Sequence, residues 1–110
     1  MRLIIGGIYQ GKEKYARTKY GDDIQILGDL VEKIKKAIEL GDKEEDIIAD
    51  ILSKALKVDV VIALEAFGGL TPIDASTRKL VEIYGRLLEK LAGEAESVER
   101  VVCGLGQRLK

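Results

Sequence analysis

The residues most able to do chemistry stand near the start of the chain. Gly6-Gly7-Ile8-Tyr9-Gln10-Gly11-Lys12-Glu13 follows directly on the apolar run Arg2–Gly6. The spacing Gly-x-x-x-x-Gly-Lys is that of a loop that cradles phosphates. Glycines let the backbone curl until successive N–H groups point into one cavity. A helix that starts at the loop adds its dipole and its unpaired first-turn amides. The lysine adds a point charge for the outer phosphates. The ligand this chemistry predicts is a nucleoside triphosphate, held by Gly6, Gly7, Ile8, Tyr9, Gln10, Gly11, Lys12 and Glu13. A glycine-rich strand-to-helix turn with an exposed lysine would use the same residue types.

One position departs from the pattern. A Ser or Thr after the lysine would give Mg²⁺ a hydroxyl ligand; here the residue is Glu13. A carboxylate can ligate Mg²⁺, but it also sets negative charge beside phosphates. A second acid suits the same region. Glu65 follows the apolar segment of residues 58–64, and ligands in parallel sheets bind beyond the carboxyl ends of strands. Glu13 and Glu65 are therefore the candidate metal ligands, and Lys12 and Glu65 the candidate catalytic pair, with Glu65 placed to take a hydroxyl proton. A solvated residue at a strand exit would also explain Glu65.

The composition narrows the alternatives. Among 110 residues there is no histidine and one cysteine, Cys103. Imidazole acid–base catalysis, a Ser-His-Asp triad and histidine metal sites are excluded. One cysteine makes no intrachain disulfide and suits a reducing compartment. The 18 basic and 19 acidic residues leave a net charge of −1, which gives no global field toward nucleic acid or anionic membrane. No apolar run approaches a membrane span, and the N-terminal apolar stretch is too short for a signal peptide. A cytoplasmic protein with neither nucleic-acid nor membrane partners is expected.

Alternating strands and helices must position the loop. Arg2–Gly6 reads as a buried strand and Lys12–Tyr20 as a helix stopped by Gly21. Residues 24–27 read as a short strand. Asp29 with Glu32, and Asp42 with Glu45, have capping-box spacing. The first pair precedes a helix through Leu30, Val31, Ile34, Ala37 and Ile38 that ends at Gly41. The second precedes one through Ile47, Ile48, Ile51, Leu52, Ala55 and Leu56. Residues 58–64 form the next strand. A loop with the chain's one proline, Pro72, leads to Asp74 as the cap of a long helix. That helix faces inward through Leu80, Val81, Tyr84, Leu87, Leu88 and Leu91 and closes at Gly93. Residues 98–103 make a final strand that buries Cys103, and Gly104 onward is a tail. The order β-α-β-α-α-β-α-β predicts a single α/β domain over residues 1–110. Its core is a mostly parallel sheet of about four strands in a three-layer, P-loop-type fold.

Two blocks resemble the adenosylcobinamide kinase / adenosylcobinamide-phosphate guanylyltransferase family. IIGGIYQGKEKYA (residues 4–16) is similar to that family's strand–GGxxSGKS–helix opening. LEAFGGLTP (residues 64–72) looks like its NEVGxGIVP segment, with Glu65, Gly69 and Pro72 matching and Leu64 and Phe67 not. Arg78, Gly85 and the Leu91-Ala92 pair fall where the family carries Arg, Gly and Leu-Ala. VERVVCGLGQRLK (residues 98–110) resembles the family's closing strand and terminus. The resemblance implies phosphorylation of the aminopropanol hydroxyl of a corrinoid, adenosylcobinamide, by GTP or ATP with Mg²⁺. It adds Arg78 to the nucleotide-binding residues and implies a homo-oligomer. The family's second activity, guanylyl transfer through a histidine-bound nucleotide, has no histidine to use here. A nucleotide-binding, regulatory or structural relative without turnover is the alternative, and nothing in the sequence separates GTP from ATP.

Overall fold

The computed structural model describes residues 1–8, 10–65 and 75–110, the side chains of Ala75 and Ser76 apart. Tyr9, the loop with Phe67, Gly68, Gly69 and Pro72, and the Asp74 cap lie outside the described residues. The elements run β1 (Arg2–Gly6), α1 (Lys12–Tyr20), β2 (Ile26–Leu27), α2 (Leu30–Glu39), α3 (Glu44–Ala55), β3 (Val60–Leu64), α4 (Ala75–Glu94), β4 (Ser97–Val102) and β5 (Leu105–Arg108). They form one five-stranded sheet in the order β2-β3-β1-β4-β5. The first four strands are parallel, and β5 runs antiparallel to β4.

Side-chain alternation divides the core between two faces. Leu3, Val61, Ala63 and Val98 point to one face, where Leu30 and Ile34 of α2, Ile47, Ile48 and Ile51 of α3, and Ile83, Leu87 and Leu91 of α4 cover them. Ile4, Val60 and Val101 point to the other and are covered by Ala16, Tyr15 and Tyr20 of α1. Helices therefore flank the sheet on both sides. Runs such as Leu3-Ile4 and Val60-Val61 are continuously apolar because both faces are covered. Among the described residues no helix is long and apolar enough to cross a membrane.

The expected elements form, with β3 beginning at Val60 rather than 58, β4 running Ser97–Val102 rather than 98–103, and four further differences. First, β2 is only Ile26–Leu27. Second, α4 runs one residue past Gly93, to Glu94: Leu91 is buried, and the Ala95 amide donates to the Leu91 carbonyl at 2.9 Å. Third, the capping boxes are not used. Lys43 occupies the N-cap of α3, and neither it nor Asp29 at α2 makes a side-chain cap bond. Fourth, the chain does not end in a tail. Cys103 and Gly104 have φ of 51° and 75°, the two successive positive values a tight two-residue hairpin demands, and they turn the chain back as β5. Cys103 is consequently exposed on a turn rather than packed in a strand.

One polar group is deliberately buried under α1. Glu99 of β4 is 3% exposed and receives hydrogen bonds from the Lys19 ammonium and from the Tyr20 hydroxyl, the latter at 2.9 Å. Burial alone would push its carboxyl up; the two donors outweigh it and hold Glu99 below the usual glutamate value. The Arg2 guanidinium stacks 4.5 Å from the Tyr20 ring and joins β1 to the same cluster.

Candidate functional site

The predicted loop lies between β1 and α1, beyond the carboxyl edge of the sheet. β1 and β3 are neighbours there, and the Glu65 N–H donates to the Gly6 carbonyl at 2.8 Å. After β1 the chain leaves for α1 on one face; after β3 it goes on to α4 on the other. Such a reversal leaves a crevice beyond the strand ends, the usual ligand position in open α/β sheets. The glycine loop, Lys12 and the Glu65 backbone thus come together at one edge.

Two glycines have specific reasons to be there. A Cβ on Gly6 would lie 2.6 Å from the Val101 carbonyl oxygen and 3.2 Å from the Lys12 side chain, so only glycine lets β1 end this close to β4. Gly11 is the N-cap of α1 at φ 82°, ψ 28°, a left-handed conformation that costs glycine little. The Lys12 stem crosses Gly6, and its ammonium donates to the Gly7 carbonyl at 2.6 Å. Partial burial holds Lys12 below the ordinary lysine pKa.

The loop is fastened at its far side by residues the sequence did not single out together. The Gln10 side-chain oxygen accepts the Cys103 N–H at 2.6 Å, and the Gln10 carbonyl accepts the Gly104 N–H at 2.9 Å. The β4–β5 turn therefore clamps the loop. The Cys103-Gly104 pair, with its two successive positive φ values, is what turns the chain back here. β5 itself is seated on α1: a Cβ on Gly106 would meet the Tyr15 hydroxyl at 2.0 Å.

The loop opens on a cleft of about 730 Å³. One wall is the loop and the start of α1, residues Gln10 to Lys14 with Arg17; the other is Ile26, Gly28, Asp29 and Ile62. Three cations, Lys12, Lys14 and Arg17, share this space with the carboxylates of Glu13 and Asp29. A second pocket of about 230 Å³ adjoins it and shares Lys12, Asp29 and Ile62.

The remaining predicted residues are distributed less favourably. Glu13 lines the cleft, but its carboxylate accepts from Arg17 at 3.3 and 3.4 Å. Glu65 is paired with Arg100, whose Nε lies 2.8 and 3.0 Å from its two carboxylate oxygens. Arg78 is exposed on the first turns of α4, and Ile8 is 62% exposed; neither lines the cleft or the pocket. Asp29 is the acid sequence reading under-valued. It has φ 54°, its carboxylate makes no cap bond, and it borders both spaces with Lys12. An aspartate before a helix reads as a cap whether or not it caps.

Mg²⁺ suits this donor set only as an ion carried by the phosphates. Among the described residues there is no group of three or more His, Cys, Asp or Glu able to hold a metal ion. Mg²⁺ commonly binds through one or two carboxylates, substrate phosphates and water, and Glu13 is the cleft carboxylate nearest the loop in sequence. No family model matches the chain, and no curated protein resembles it significantly in sequence.

Proposed function

We propose that the chain binds a nucleoside triphosphate in the Gly6–Glu13 loop and transfers its terminal phosphate to an alcohol, as its resemblance to adenosylcobinamide kinase implies. One observation carries this reading: a glycine loop with Lys12 folded over it sits at the strand–helix junction, at the edge where the chain reverses between β1 and β3. The first-turn amides of α1 have no partners within the helix and are available to phosphate oxygens. The Lys12 ammonium rests on a neutral carbonyl, a weaker acceptor than an anionic phosphate. Glu13, once released from Arg17, would hold a Mg²⁺ carried by the nucleotide, and that ion would supply charge neutralisation at the phosphates. That exposed ion pair is worth at most about 1 kcal/mol, so its exchange is cheap. The acceptor implied by the resemblance is the aminopropanol hydroxyl of adenosylcobinamide. Guanylyl transfer through histidine is not part of the proposal, since the chain has none.

A second reading, nucleotide binding without turnover, is favoured by the ion pairs that already occupy Glu13 and Glu65. Calorimetric titration with non-hydrolysable GTP and ATP analogues, with and without Mg²⁺, separates the two. Mg²⁺-dependent binding, with phosphate transfer to cobinamide once GTP or ATP replaces the analogue, supports the kinase. Binding indifferent to Mg²⁺, without transfer, supports the module that only binds.

A further inference from the structure

We propose that the pocket of about 230 Å³ behind Lys12 is the acceptor site, that it takes a short aliphatic alcohol, and that Asp29 receives the hydroxyl proton. The proposal rests on the phosphate-loop reading for its chemistry, though not for its binding site. Its ground is the way the two spaces meet. The larger cleft belongs to the loop; the smaller lies over the end of β3, beneath the start of α2. Lys12, Asp29 and Ile62 are the residues common to both, so a phosphate held by Lys12 stands at the border of the small pocket. That border is where a transferred group must pass.

The walls state the ligand's chemistry. Leu30, Val31, Ile62 and Leu64 make the pocket largely apolar. The Tyr84 hydroxyl that reaches it already donates to the Leu64 carbonyl at 2.6 Å, and burial pushes its pKa up to about 12, so it stays neutral. The carboxylates are Asp29 at the border and Glu32. Carboxylates accept hydrogen bonds, so they select a hydroxyl donor and repel an anionic tail. The volume admits an alkyl chain end and no macrocycle.

Asp29 is also the cleft carboxylate free to act. Among the described residues neither it nor Glu32 makes an ion pair or side-chain hydrogen bond, but Glu32 lines only the small pocket, and Glu13, the other cleft carboxylate, is held by Arg17. In the step, the alcohol oxygen attacks the terminal phosphorus and a new O–P bond forms. The bond from that phosphorus to the bridging oxygen breaks, and its electron pair stays on the nucleoside diphosphate. The hydroxyl proton passes to the Asp29 carboxylate.

The test uses three probes of one length: 1-pentanol, 5-amino-1-pentanol and 5-hydroxypentanoate, titrated into ¹⁵N-labelled protein with the GTP analogue present or absent. The expected result is saturable shifts at the amides of Leu30, Val31 and Leu64 from the two non-anionic alcohols, and at least fivefold weaker ones from the hydroxy acid. Asp29→Asn should narrow that preference; asparagine tolerates the left-handed backbone there, so the fold should survive. Val31→Phe should block all three probes while leaving analogue binding intact. Shifts absent from these amides, or equal affinities for all three probes, would overturn the pocket assignment. A preference unchanged in Asp29→Asn would overturn the role of Asp29. Alcohol binding without any analogue binding would instead remove the phosphate-loop reading and leave the pocket standing.

Discussion

The Gln10 side-chain oxygen lies 2.6 Å from the Cys103 amide it accepts, although the two residues stand near opposite ends of the chain. With the neighbouring bond from Gly104 to the Gln10 carbonyl, this makes the β4–β5 turn the outer wall of the loop. The loop's shape is thus set by a hairpin formed last in the sequence, as well as by its own glycines.

Gln10→Ala should therefore loosen the loop without emptying it. A hydrogen bond of this kind contributes about 1 kcal/mol, so nucleotide-analogue affinity should fall about five- to tenfold. The urea midpoint should fall only slightly. Calorimetry and urea unfolding of the same preparation check both. Unchanged affinity would mean that the turn merely abuts the loop.

Gly6→Ala should damage the fold before it damages binding. The added methyl meets the Val101 carbonyl at 2.6 Å, a backbone atom that cannot swing aside. β1 must separate from β4, at about 1–3 kcal/mol, the usual range for overpacking. Gly106→Ala should cost less, because the methyl meets the Tyr15 ring, a side chain that can swing aside. Thermal melts of the two variants measure this, and wild-type melting in Gly6→Ala would contradict the packing described.

Glu99 makes stability depend on acid. Its folded carboxyl titrates below 4.5, its unfolded value, so its contribution is present above that pH. It is lost as the pH falls through the lowered folded value. Glu99→Gln should destabilise the protein at neutral pH by about 1.5–3 kcal/mol, the worth of a hydrogen bond to a charged group. It should also flatten the decline of stability as the pH falls below about 5. Urea unfolding at neutral pH and at successively lower pH reads both effects; parallel curves for variant and wild type would exclude this role.

The Glu65–Arg100 pair separates two meanings of Glu65. If Glu65 acts on substrate, Glu65→Gln removes turnover and spares most nucleotide affinity. If it only steadies the sheet edge through Arg100, Arg100→Gln lowers stability as Glu65→Gln does, and turnover survives in both. Steady-state kinetics with melting curves for the two variants decide between these outcomes.

The elements were legible because local pattern and tertiary demand agree. The Leu30, Ile34 and Ile38 stripe and the Val60-Val61 run each bury as their period requires. The glycine loop was legible too, since Gly6, Gly11 and Lys12 stand at fixed spacing within one turn. What stayed hidden depends on distant chain. Residues 105–108 are an exposed, polar-rich strand with no apolar signature, and they pair only because Cys103 and Gly104 turn tightly. Glu65 reads as a free acid because nothing local announces Arg100 as its partner; Glu13 stands four residues before Arg17 on one helix, and that spacing was the signal for its ion pair. Asp29 read as a cap because its backbone angle is not written in the residues around it.

The central claim is that Lys12 and its loop hold a triphosphate. Its most direct test is calorimetric titration of wild type and Lys12→Ala with the same GTP and ATP analogues in Mg²⁺. Micromolar binding by wild type and a loss of about ten- to a hundredfold in Lys12→Ala are expected, the worth of a hydrogen bond to a charged group. The melting temperature should change little, since the variant removes both the hydrogen bond to the Gly7 carbonyl and the desolvation cost of a partly buried ammonium. Equal binding by the two proteins, or none by wild type at millimolar nucleotide, would contradict the account.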